Sequence, residues 1–282
     1  VNAAEQTNAG SALPYAALLE VAEKVAVEAA EFVAAERTKM LDGTAVDVQS
    51  KSHRTDVVTA VDVASEQLVR DRLAQLRPGD AVLGEEAGGE AGTGADAVTW
   101  VVDPIDGTVN FLYGAPHFAV SLAAQIDGES VAGVVVEPVS RRRWTAVRGG
   151  GAWLDGRRLA VSEPSGLDMT LLGTGFAYLP ERRRRQAAMV SGLAGHVRDI
   201  RCAGAASLDL CHVGAGWTDA FVEHGLSRWD WAAGALVARE AGAVVSVPGE
   251  DPELGEDGTF AAAPSIADEL RAMVLELGVR DI

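Results

Sequence analysis

One stretch, Trp100 to Phe111, constrains this chain more than any other: Trp-Val-Val-Asp-Pro-Ile-Asp-Gly-Thr-Val-Asn-Phe. Val98 and Trp100–Val102 read as a buried strand with no polar break after Thr99. Asp103 closes it. Pro104 has no N–H to give to a ladder, so a turn is predicted there. Asp106, Gly107 and Thr108 follow. Two carboxylates on either side of a proline turn can converge on one point beyond a sheet edge. Gly107 lets backbone N–H groups approach a ligand closely. A hard divalent cation takes such oxygen ligands, and Mg²⁺ is usually held by a few carboxylates plus substrate phosphate. An isolated Asp-Pro-x-Asp-Gly is also an ordinary turn composition. The rest of the chain has to decide between the two.

The chain has 282 residues, enough for one large domain or two. Its 48% hydrophobic content supplies a sizeable core. A net charge of −17, from 41 acidic and 24 basic residues, argues against direct nucleic-acid binding, which needs basic surface. The same field repels a phosphorylated substrate unless local cations reverse it. Cys202 and Cys211 match neither a zinc pattern nor a disulfide framework and read as buried, inert thiols. No signal pattern or apolar run of membrane-spanning length is present, so the expected location is the cytoplasm.

Along the chain, residues 1–12 are small and polar and are expected to be disordered. A core-covering helix is predicted from about Pro14 to Met40, with Leu18, Val21, Ala22, Val25, Ala29, Phe32 and Val33 on one face. Val46–Lys51 and Val57–Asp62 read as strands around a loop. A helix from Asp62 to about Leu76 would take Asp62 as its N-cap. Ala81–Glu86 reads as a short strand ending in two carboxylates. Phe118–Ile126 and Val131–Val139 flank Asp127-Gly128, a strong hairpin signal. Arg143–Val161 continues the meander. Beyond a Pro-Ser-Gly stretch near Val161–Asp168, strands and helices alternate. A helix over about Pro180–Leu193 carries the basic run Arg182–Arg185, either a solvated face or a phosphate-steering patch. Further predicted helices are Gly204–Gly214 and Trp229–Ala243. Met169–Gly175, Val197–Ala203 and Thr218–Gly225 read as strands, and Ser265–Asp268 as a capping box for the last helix. The result is a mixed α+β and α/β chain, with residues 13–282 forming one domain. Its subregions are about 13–161 (α+β) and 162–282 (α/β).

Carboxylates recur at strand ends and helix starts: Glu85, Asp103 with Asp106, Glu223 and Asp230. Asp230, between Trp229 and Trp231, is either an acid favoured by the helix dipole or a metal ligand on a rigid element. Oxygen ligands without a Cys/His set select Mg²⁺ or Mn²⁺ over zinc. Such a cluster suits phosphoryl transfer to water, with backbone N–H groups after Asp106 on the phosphate. His53, His117, His196, His212 and His224 show no metal spacing. No nucleophile elbow and no P-loop are present, so serine-hydrolase and P-loop chemistry are excluded.

Trp100–Phe111 and Trp229–Ala243 resemble the two signatures of the inositol monophosphatase family, lithium-sensitive, metal-dependent sugar phosphatases. Lys51 with Thr55–Asp62, Gly84–Glu86 and Glu223–Asp230 support the match in order and spacing across about residues 15–278. Leu171–Tyr178 adds a likeness to the bacterial branch. The resemblance implies a layered αβαβα sandwich, a homodimer, and Mg²⁺-dependent release of inositol and phosphate from inositol monophosphate by in-line attack of activated water. It makes Glu85, Asp103, Asp106, Asp230 and the Ile105 carbonyl the metal ligands, for two to three ions. Glu85 and Asp103 would hold the water-activating ion, and Asp103, Asp106 and Asp230 the second. A weaker third ion would lie near Glu85. Asp62 and Thr108 would orient or deprotonate the water. Gly107 and Thr108 would contact the phosphate, and Glu223 and Asp230 the substrate hydroxyls, with Ala206 lining the site. Mn²⁺ would substitute and Li⁺ would inhibit. Gly204-Ala205-Ala206 departs from the common Gly-Thr-Ala and removes a hydroxyl contact. His53-Arg54 departs from the commoner small residues and alters the third-ion loop. Histidinol phosphate, fructose 1,6-bisphosphate and adenosine 3′,5′-bisphosphate stand as alternative substrates. A partner role in a transcription complex stands as the alternative of another class, and a purely structural cation module as a further one.

Overall fold

The computed structural model describes residues 15–51, 57–94 and 96–282. The expectations for residues 1–12 and for the Ser52–Asp56 loop, with His53 and Arg54, lie outside the described residues. A 26-residue helix, α1 (Ala16–Leu41), opens the fold and buries Leu18, Ala22, Val25, Ala29 and Val33, the face read from the sequence. A short antiparallel pair, β1 (Val48–Ser50) and β2 (Val57–Thr59), leads into α2 (Ala60–Leu76). β3 (Ala81–Gly84) pairs parallel with β4 (Val98–Asp106), and a short helix, α3 (Thr108–Leu112), follows. β5 (Ala119–Ile126), β6 (Glu129–Val136), β7 (Arg143–Val147), β8 (Gly151–Leu154) and β9 (Arg157–Arg158) add antiparallel neighbours in sequence order. The result is a seven-stranded sheet. Asp127 and Gly128 both take positive φ, 52° and 84°, as a type I′ hairpin turn requires.

The later chain alternates between β10 (Leu171–Thr174), α4 (Pro180–Leu193), β11 (Asp199–Arg201), α5 (Ala206–Gly214), β12 (Ala220–His224) and α6 (Arg228–Glu240). It closes with β13 (Val244–Ser246), β14 (Gly258–Ala262) and α7 (Ala267–Glu276). These strands form a five-stranded mixed sheet in the order β11-β10-β12-β14-β13.

Four buried apolar clusters reveal the layering. One joins α1 and α2 to the large sheet, and a second joins that sheet's other face to α5 and α6. A third joins α5 and α6 to the small sheet, and the last joins that sheet to α4 and α7. The layers therefore run α, β, α, β, α, the sandwich expected. α6 shows the consequence for sequence: Ala232 through Ala238 are all buried, because the helix has a sheet on each side.

Local expectations change in instructive ways. Asp62 is not the N-cap of α2. Thr59 is, and Asp62 is its reciprocal partner in a capping box, because the helix begins at Ala60. Pro104 does not end β4. The strand passes it by a slip in its pairing with β5 between Asp103 and Asp106, which absorbs the missing N–H. Ser265 makes no capping box: α7 begins after Ile266 without a side-chain cap, and the Ser265 hydroxyl donates to the Pro164 carbonyl. Cys211 is buried as expected, but Cys202 is exposed, since it follows the end of the edge strand β11.

Candidate active site

The slip in β4 creates the site. Asp103 Oδ1 accepts the Ile105 N–H at 3.0 Å, so the carboxylate braces the irregular backbone around Pro104. Gly107 then takes φ 93°, and a Cβ there would sit 3.1 Å from the carbonyl oxygens of Gly204 and His117. Only glycine accommodates both that conformation and that approach. Asn110 completes the contact with the later chain, its amide donating to the carbonyls of His117 at 2.6 Å and Ala203 at 2.8 Å.

Asp103, Asp106 and Asp230 each bring a carboxylate oxygen to within 4.8 Å of the others, the one such group among the described residues. Asp103 and Asp106 come from β4, and Asp230 from the first turn of α6. Asp230 is the capping-box acid of that helix, and its Oδ2 accepts the Ser227 N–H at 2.6 Å. The dipole reading and the ligand reading of Asp230 are thus compatible: one face of the carboxylate caps, and the group as a whole reaches the cluster. Glu85 is not a member of this group. It follows β3 in a turn, shares a hydrogen bond with Asp103, and is paired with Lys51 at 2.8 Å. Lys51 also reaches Glu86 at 2.7 Å.

Beside the carboxylates lies a second arrangement. The Thr108 hydroxyl lies 3.0 Å from Asp62 Oδ1 and 3.1 Å from the Ile105 carbonyl. Asp62 Oδ2 accepts the Thr59 N–H at 2.9 Å and the Thr59 hydroxyl. Asp62 is fully buried, and both its oxygens have donors.

Burial and mutual repulsion raise the carboxyls of the cluster. Burial first, then Glu85, Asp106 and Asp230, pushes Asp103 well above the usual carboxylate range. Burial and Asp106 do the same to Asp230. Asp106 rises only to about 6, because Ser207 works against burial. Glu223 is pushed up to about 8 by burial, then by Asp209 and Asp106. Burial also raises Asp62, although its Thr59 and Thr108 donors oppose the shift. Burial works against the Lys51 ammonium, but Glu85 and Glu86 hold it above its ordinary value. Clustered, desolvated carboxylates of this kind are relieved by a cation. An all-oxygen set without Cys or His fits a hard divalent ion.

The remaining expected residues fall around this centre. Ala206 is buried at the first position of α5, and Glu223 sits near the end of β12, close enough to repel Asp230. Some contributors were not read from the sequence. Glu66 of α2, nearly inaccessible, accepts the N–H groups of Glu86 at 2.7 Å and Ala87 at 3.1 Å and so holds the Glu85–Glu86 turn. A Cβ at Gly84 would lie 2.4 Å from that carboxyl, which explains the glycine before the two acids. Arg70 one turn on from Glu66 was the available signal. Asp209, an acid within the apolar helix α5, had the signal of a lone charge among small and apolar residues. Ser207 had none.

Fold and site together describe a layered αβαβα protein with a cluster of carboxylates at an irregular strand end that could hold a cation. The inositol monophosphatase family model matches residues 15–278. The chain is 52% identical over 266 residues to an inositol-1-monophosphatase of Mycobacterium leprae, covering 89% of this chain and 91% of that protein. It superimposes on the solved structure of Mycobacterium tuberculosis SuhB with a TM-score of 0.79 at 45% identity, covering 95% of this chain and 98% of that one. A Pseudomonas aeruginosa protein named Nus factor SuhB is 49% identical over 195 residues, 68% of this chain and 72% of that protein. The chain belongs to the inositol monophosphatase family, and it is a phosphoric monoester hydrolase of that metal-dependent class. Among the described residues no helix is long and apolar enough to cross a membrane.

Proposed function

We propose that this enzyme hydrolyses inositol monophosphate to inositol and phosphate with Mg²⁺, Mn²⁺ serving as a substitute. The observation that carries the reading is the convergence of Asp103, Asp106 and Asp230 beside the Thr108–Asp62 pair. Asp103, Asp106 and Asp230 would hold one cation, and Glu85 with Asp103 another, the Ile105 carbonyl adding a ligand. A third ion would bind more weakly near Glu85. When bound, the cations supply Lewis acidity, which stabilises phosphate charge and lowers the pKa of attacking water.

The protein groups do the rest. With its hydroxyl proton on Asp62 Oδ1, Thr108 Oγ1 keeps a lone pair for a water proton. Thr59 holds Asp62 Oδ2 and fixes the direction of that relay. The N–H groups of Gly107 and Thr108 face the phosphate, and Glu223 and Asp230 take substrate hydroxyls beside Ala206. The family resemblance and the relatives' names support inositol phosphate over histidinol phosphate, fructose 1,6-bisphosphate or adenosine 3′,5′-bisphosphate. The same reading makes residues 13–282 one functional unit and the enzyme a cytoplasmic homodimer.

Phosphate release from myo-inositol 1-phosphate, with and without Mg²⁺, beside the competing esters, tests the proposal. A Mg²⁺-dependent preference for the inositol ester is expected. Preference for another ester overturns the substrate, and inactivity on all of them overturns the reaction. Li⁺ should inhibit, and less strongly in Asp230→Asn, as a lithium titration of both proteins would register. The name of the Pseudomonas relative favours a second role as a partner in a transcription complex. That role would survive Asp103→Asn, whereas catalysis would not.

A further inference from the structure

Ser207 makes a contact that neither the sequence signatures nor the expected ligand set contains. It is the second residue of α5 and has no exposed surface. Its N–H donates to Asp106 Oδ2 at 2.7 Å, and its hydroxyl donates to the same oxygen. The two residues are 101 positions apart. The preceding Ala205 occupies the N-cap position of α5 and has no side-chain acceptor. Asp106 therefore caps this helix from another element, through the backbone N–H groups of Ala206 and Ser207. The hydroxyl is a second donor to an oxygen whose capping work is already done.

We propose that the Ser207 hydroxyl is a positioning group for the cation: it locks the Asp106 carboxylate so that the carboxylate meets the ion in one fixed orientation. Each added donor narrows the swing of a carboxylate about its Cβ–Cγ bond, and the hydroxyl adds one beyond the two backbone donors. The other two members of the cluster each accept one backbone N–H. Asp103 accepts from the Ile105 N–H, and Asp230 from the Ser227 N–H. Asp103 also shares a hydrogen bond with Glu85, whereas the side-chain donor to Asp106 is a neutral hydroxyl from the helix layer between the sheets. Groups that orient metal ligands typically change affinity by about 10–100-fold when removed.

This inference rests on the proposed cation site, and the test separates the two. Mg²⁺ binding to the full chain is measured by calorimetry, without substrate, for wild type, Ser207→Ala and Ser207→Thr. Ser207→Ala keeps the backbone N–H, hence the helix cap, and loses only the hydroxyl. The expected result is about a 10-fold weaker Mg²⁺ affinity in Ser207→Ala. Its melting temperature in EDTA should stay close to wild type. Ser207→Thr, which retains a hydroxyl, should recover most of the affinity. In Ser207→Ala, the Mg²⁺ concentration for half-maximal phosphate release should rise while kcat at saturating Mg²⁺ recovers. Unchanged affinity in Ser207→Ala overturns the inference, since a purely structural cap predicts that outcome. Equal loss in the Ala and Thr variants also overturns it, by assigning the effect to packing. Failure of the wild type to bind Mg²⁺ overturns the cation site itself.

Discussion

Two helices in this protein begin with the same device and use it for different ends. α2 starts with Thr59 and Asp62, and α6 with Ser227 and Asp230, each an N-cap hydroxyl and an acid joined in a capping box. In both, the acid's Oδ2 accepts the N-cap N–H, at 2.9 Å in one and 2.6 Å in the other. The difference lies in what meets the rest of the carboxylate. Asp62 meets the Thr108 hydroxyl, a donor, and so stands where the proposed proton relay would run. Asp230 meets Asp103 and Asp106, two more acceptors, and so joins the proposed cation site. A local motif fixes where an acid stands, and its tertiary neighbours decide its chemistry.

That contrast breaks or holds under substitution. The largest effect is expected away from both boxes, at the cluster they flank: Asp103→Asn should lower phosphate release about 10³-fold or more. Its fold should persist, with a metal-free melting temperature equal to or above wild type, because one buried repulsive charge is gone. Next come the paired variants Asp62→Asn and Asp230→Asn, each of which keeps an acceptor oxygen for its helix cap. Asp62→Asn should lose about 10²–10⁴-fold in kcat, the scale of general acid–base help, with Mg²⁺ affinity nearly intact. Asp230→Asn should weaken Mg²⁺ binding by at least about 10-fold, a change that calorimetry detects. Equal losses of metal affinity in the two variants would erase the distinction drawn above.

The smallest effect is a pH slope. Glu223 and Asp106 are raised to about 8 and about 6. A raised carboxyl favours the folded state in its protonated form. Its stabilisation is complete below the unfolded value of about 4 and fades as pH climbs through the folded value. Melting temperatures in EDTA should therefore fall between about pH 5 and pH 8, by a few degrees. Excess Mg²⁺ should flatten the slope. A flat profile in EDTA would mean these carboxyls already have compensating partners.

Most of the architecture was legible because it is written in local periods. The apolar face of α1 repeats at helical spacing, and Asp127-Gly128 announces its own turn. The uninterrupted small and apolar run Ala232–Ala238 reflects burial on both sides of α6. The clustered acids were legible too, since Asp103, Asp106 and Asp230 sit inside long motifs. What supports them was not. Ser207 gains its meaning only from a strand 101 residues away, and nothing around it in sequence hints at that meeting. Pro104 misled because a ladder that slips by a residue tolerates a missing donor, an outcome set by β5 rather than by the proline. Asp62 looked like a cap because the β-forming Val57–Thr59 extends the strand pattern toward it and an acid at that point suits a helix start. Thr59 claims the helix start once its hydroxyl accepts the N–H groups of Val61 and Asp62.

The carboxylate cluster takes its members from β4 and from α6, elements separated by most of the meander and several later strands and helices. In polymer terms, an ion seated there is a reversible cross-link that closes a loop of more than a hundred residues. Such a link stabilises the native chain in proportion to the logarithm of ion concentration over its dissociation constant. It also restricts the unfolded chain only when the ion stays bound, unlike a disulfide. The divalent ion supply of the cell would then set how long this enzyme lasts as well as how fast it turns over.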